Sequence, residues 1–67
     1  MNDTYRAILA ELKDAPQPTA WLVQTLEGDV VEALICLCAR GLIRFDPKDR
    51  LYHRDEEALD REEEMRR

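Results

Sequence analysis

Arg44, Lys48, Arg50, His53 and Arg54 fall within eleven residues, with Arg40 just upstream. Cations at that density can neutralise phosphates, and each counterion they displace adds affinity. The plain alternative is a solvated segment balanced by Asp46 and Asp49. Cys36 and Cys38 are the other residues with chemistry to offer. Two positions apart on a helix, they point about 200° from each other, so they cannot share one ion or close an easy disulfide. A zinc site wants four ligands, usually in paired loops, and His53 is the only histidine. No metal and no cofactor is expected. The thiols read as small apolar residues kept reduced, with an intermolecular disulfide open to Cys36 if it is exposed. The chain contains no serine and no glycine-rich phosphate loop. Neither an enzyme nor a small-molecule substrate is expected.

The elements that must position these residues can be read from capping and period. Asn2, Asp3 and Thr4 can each cap a helix start, because a short side-chain oxygen accepts from an unpaired N–H. Tyr5, Ile8, Leu9 and Leu12 follow as one helical stripe. Pro16 ends it, and "APQP" is a short linker. Thr19, after Pro18, is expected to cap a second helix with Leu22, Val23 and Leu26 on its stripe and Trp21 at its edge. Gly28 can end that helix in a left-handed conformation. Asp29 is expected to cap a third helix that runs to about Arg40 and stops at Gly41. Beyond Gly41 the period changes. "LIRFD" and "RLYHR", joined by "PKD", read as a β-hairpin from about Leu42 to Arg54, with Pro47, Asp46 and Asp49 favouring the turn.

Charge divides the chain unevenly. Ten basic and fifteen acidic residues give a net charge of −5 over 67 residues. Residues 55–67 hold seven acidic and three basic groups, whereas residues 1–54 hold eight acidic and seven basic. The expected organisation is therefore a folded body over 1–54 and an acidic tail or helix over 55–67. A chain this short forms one domain, and a domain of this size is marginally stable. The N-terminus lacks the basic start and apolar core of a signal peptide. The longest apolar run, Ala33–Ala39, is far short of a spanning helix. A cytoplasmic protein with no membrane contact is expected.

The stretch "VVEALICLCARGLIRF" followed by "RLYHR" resembles the MarR-like and ArsR-like winged-helix regulators. Those families show a branched residue, leucines four and seven positions on, a basic residue, "GLI" and a wing. Here these are Val30, Leu34, Leu37, Arg40, Gly41-Leu42-Ile43 and the hairpin, and the likeness covers about Thr19–Arg54. The turn before the third helix is shorter than the family's, with only Asp29 between Gly28 and Val30. The resemblance implies an α+β, mostly helical fold: a three-helix winged helix-turn-helix with a two-stranded wing, here with room for a C-terminal helix.

The third helix departs from a groove reader. Such helices meet base edges with Arg, Lys, Asn or Gln near their N-termini. This one offers Asp29 and Glu32 there and no cation before Arg40. With Val30 on the core line, Leu34, Leu37 and Gly41 lie within about 40° of it. Val31 and Ile35 extend the apolar surface round one side, while Glu32, Ala39 and Cys36 face outward. Val31 and Ile35 are covered either by the first helix or hairpin of the same chain, or by a second chain. Trp21 is either partial core or a partner-binding anchor. The expected function is a small winged-helix regulatory module acting mainly through protein contacts, as a homodimer or with another protein, with Trp21, Val31 and Ile35 at the interface. The alternative is a DNA-binding transcription regulator that uses Arg40, Arg44, Lys48, Arg50, His53 and Arg54.

Overall fold

The computed structural model describes residues 2–65. Helix α1 spans Asp3–Asp14, and Asn2 caps it: its Oδ1 accepts from the Tyr5 N–H at 2.8 Å. Asp3 in the first turn and Lys13 in the last complement the helix dipole. The apolar stripe buries Ile8, Leu9 and Leu12. The linker is extended at Gln17, as a residue before proline must be. Gln17 exchanges backbone hydrogen bonds with Tyr52, so the linker makes one antiparallel bridge to the hairpin.

Helix α2, Thr19–Thr25, buries only Leu22. Two expectations fail around it. Thr19 is the first helical residue rather than the cap; Pro18 holds the cap position and no side chain bonds to the free N–H groups. Proline's locked φ, here −79°, suits that entry without a capping oxygen. At the other end the helix stops at Thr25, and Gly28 lies beyond it with φ +92°. Its role is passage rather than capping, since the chain there runs against Thr4 of α1.

Helix α3 spans Val30–Ala39 and is capped by Asp29, whose Oδ1 accepts from the Glu32 N–H at 3.2 Å. It buries Val30, Ala33, Leu34 and Leu37. Gly41 closes it in the left-handed conformation, φ +76°. The Gly41 N–H reaches Cys38 O and the Leu42 N–H reaches Leu37 O, which satisfies two orphan carbonyls of the last turn.

Strands β1, Ile43–Asp46, and β2, Leu51–Arg54, form an antiparallel hairpin that pairs Ile43 with Arg54 and Phe45 with Tyr52. Asp46 and Asp49 shape its turn: their Oδ1 atoms accept from the Lys48 and Leu51 N–H groups, each at 2.9 Å. Arg50 takes the left-handed position, φ +60°. Tyr52 spends its backbone bonds on Gln17, so Phe45 and Tyr52 face each other as a non-hydrogen-bonded pair, where side chains come closest. Their rings lie 5.0 Å apart and tilted.

The tail forms a fourth helix, α4, over Glu56–Met65. Asp55 begins it: its Oδ1 accepts from the Ala58 N–H, and its own N–H donates to Leu42 O. Ala58 and Leu59 pack on the core, yet no residue of α4 is fully buried. The core is Ile8, Leu9, Leu12, Leu22, Val30, Ala33, Leu34, Leu37, Leu42 and Ile43, with no buried polar side chain among the described residues. Among the described residues the architecture is α+β and mostly helical, with four helices and one two-stranded hairpin.

Candidate functional site

The outward face of α3 is the first candidate. Its core line points at α1 and β1, which leaves the opposite side without cover from the chain. Ile35 is 64% exposed and Val31 50%. The chain's own elements thus leave at least half of each side chain uncovered. Helix α2 is too short to shield its own flanks, so Val23 is 44% and Trp21 37% exposed on either side of buried Leu22. Phe45 on the outer part of β1 is also open. Sequence reasoning placed Val23 on a buried stripe. The seven-residue length of α2, which allows one inward turn, is the signal it lacked.

The hairpin cations do not form one group. Arg44, Lys48 and Arg50 are exposed. His53 Nε2 lies 2.8 Å from Asp49 Oδ2. Arg54 is turned inward: Nη1 donates to the carbonyl of Leu9 at 2.8 Å, and Nη2 donates to Glu56 Oε2 at 3.3 Å. Its Nε lies 3.0 Å from Glu56 Oε1, close enough for an ion pair but misaligned for a hydrogen bond. Arg40 pairs with Glu62 of α4. Two of the six expected phosphate contacts are thus held by the acidic helix.

Asp46, Asp49 and His53 each bring one ligand atom within 4.8 Å of the others, a juxtaposition the one-histidine count overlooked. These groups already have partners in the turn. Both carboxylates accept backbone N–H groups there. Arg44 stands directly across from His53 in the register, on the same face of the hairpin. Partial desolvation pushes the Asp49 carboxyl up. The Leu51 N–H, His53 and the charge of Arg44 outweigh it and hold the carboxyl below its ordinary value. A cation arriving here meets an arginine and two occupied carboxylates.

The thiols are unpaired and half-buried. Cys36 was expected on the outward face, but it lies against Tyr5 of α1, and its contact with the phenol is the main cause of a raised Tyr5 pKa. Burial likewise pushes the Cys38 thiol up, which lowers its thiolate character. Among the described residues no helix is long and apolar enough to cross a membrane. Comparison with family models, curated proteins and solved structures gave no match.

Proposed function

We propose that this chain is a small winged-helix regulatory module that works in the cytoplasm through protein contacts and assembles as a homodimer through the outward face of α3. The observation that carries this is the exposure of Val31 and Ile35 on a helix that offers no base-reading side chain. The order of three helices and a hairpin, with the linker laid along β2, supports the winged-helix assignment. Fully burying one such side chain is worth roughly 1.5–3 kcal/mol. In a two-fold dimer the same patch meets itself, so Val31 and Ile35 contribute four times. About half of each is still to be covered, which gives roughly 3–6 kcal/mol. Association costs about 4–15 kcal/mol in lost freedom, so these residues alone do not hold a dimer together, and further exposed apolar surface, such as Trp21 or Val23 on α2, must join the contact. The module has no catalytic or small-molecule role in this reading, and the two unpaired thiols fit a reducing compartment.

A second reading has its own observation. Lys48 and Arg50 at the hairpin tip, with Arg44 behind them, are exposed and free to meet phosphates. In that reading the chain is a DNA-binding regulator whose wing, not α3, touches the duplex. Sedimentation of wild type and Ile35→Glu tests the first reading, and a salt titration of duplex binding tests the second.

A further inference from the structure

We propose that α4 is an acidic strap that occupies Arg40 and Arg54 in place of nucleic-acid phosphates, so that the cations of this domain engage a duplex fully only when α4 lets go. This rests on the second, duplex-binding reading and not on the protein contact through α3. Three observations carry it. First, α4 holds two arginines of the domain by ion pair: Glu56 holds Arg54, and Glu62 holds Arg40. Second, Glu56 lies over the guanidinium edge of Arg54 that an anion would use: its Oε2 accepts from Nη2 at 3.3 Å, while its Oε1 stands 3.0 Å from Nε as an ion pair without hydrogen-bond alignment. The other amino group stays on Leu9 O, which fixes the fork for whichever anion arrives.

Third, α4 is held lightly. None of its described residues is fully buried, and Ala58 and Leu59 are the apolar side chains it packs against the core. An open groove of about 830 Å³ runs between α4 and the end of α3, lined by Arg40, Gly41, Leu42, Ala58 and Glu62 among others. Asp55 anchors the first turn through its cap and its bond to Leu42 O. Arg40 is therefore freed when the later turns, with Glu62, leave, whereas Arg54 is freed only when the exposed Glu56 side chain also swings off the anchored first turn. Exposed ion pairs are weak individually and are screened by salt, but tethering gives the strap a high effective concentration over its two arginines. A duplex wins only by bringing many phosphates at once.

The test compares two full-length double variants with equal charge change. Glu56→Gln with Glu62→Gln removes the strap's two contacts. Glu57→Gln with Glu63→Gln removes two exposed acids that take part in neither ion pair. Binding to a random-sequence duplex is followed by fluorescence anisotropy across a salt series. Wild type, with three available cations, should show a slope of log affinity against log salt near about −2.7. The first variant should bind about tenfold or more tighter at about 50 mM salt and steepen the slope towards about −4.5, because two more phosphate contacts form. The second variant should keep the wild-type slope. Equal slopes and affinities in both variants, or no binding by the first at about 50 mM salt, would overturn the proposal. Hydrogen exchange without duplex gives an independent reading. The α4 amides of Glu56→Gln with Glu62→Gln should exchange faster than those of wild type and of Glu57→Gln with Glu63→Gln, and equal protection in all three would also overturn it.

Discussion

Gly28 and Gly41 both sit in the left-handed region, φ +92° and +76°, yet alanine should cost very different amounts at the two sites. A Cβ at Gly41 meets nothing within 4 Å, so Gly41→Ala adds only the conformational penalty, roughly 1–2 kcal/mol for an L-residue in that region. A Cβ at Gly28 would stand 2.6 Å from Oγ1 of Thr4, well inside contact distance. Thr4 is β-branched and lies in the first turn of α1, so its hydroxyl cannot swing clear freely. Relieving such a clash costs typically about 1–3 kcal/mol more. Gly28→Ala should therefore destabilise by about 2–5 kcal/mol in total. For a domain of this size each kcal/mol lowers Tm by roughly 4–8 °C. Thermal melting by circular dichroism should place Gly28→Ala at least about 4 °C below Gly41→Ala. Adding Thr4→Ala to Gly28→Ala should recover that gap, because it removes the clash and leaves the backbone penalty. Equal melting points for the two glycine variants, or no recovery in the double variant, would refute the packing of α1 against the turn before α3.

Chelation should leave the melting midpoint unchanged, since the Asp46, Asp49 and His53 cluster is satisfied within the hairpin; a drop on adding a strong chelator would mean that a metal holds the turn. The depressed Asp49 carboxyl favours the folded state above its unfolded pKa, and that contribution is lost as pH falls through the folded value. Melting followed from neutral into acid should thus show a loss in wild type that Asp49→Asn lessens, and identical acid profiles would argue against the His53 and Leu51 contacts. Any duplex binding should weaken in Lys48→Ala and Arg50→Ala alike on specific and scrambled sequences, whereas a base-specific change caused by Glu32→Ala, read in the same anisotropy assay, would place α3 in the groove.

The elements were largely legible because each boundary has a local cause. Asn2 and Asp29 were readable as caps, and Gly41 as a helix end, since one side chain or one φ decides each. The ends of α2 were not, because Pro18 enters without a capping bond and Gly28 answers to Thr4, a residue far away in sequence. The same limit applies to the site. Periodicity put Val31 and Ile35 outside the core line, but only the packing of α1 and β1 leaves them bare. Arg40 and Arg54 read as free cations next to Lys48 and Arg50. Their pairing with Glu62 and Glu56 depends on where α4 docks. That docking was hidden because its inward stripe of Ala58 and Leu59 continues into a charged residue, Glu62, rather than an apolar one. The clustering of Asp46, Asp49 and His53 comes from a turn that brings positions on both strands together.

The most direct test of assembly through α3 is the solution mass of wild type and Ile35→Glu by sedimentation equilibrium over a wide concentration range. Ile35 is 64% exposed in the single chain, so a carboxylate there is well hydrated in a monomer and the fold should be kept. Within a dimer interface the same carboxylate would be desolvated without a partner, at a cost of several kcal/mol. Wild type should move from monomer to dimer as concentration rises, and folded Ile35→Glu should remain monomeric throughout. A wild type that stays monomeric at the highest concentration, or an Ile35→Glu that dimerises like wild type, would contradict the assignment of this face as the dimer contact.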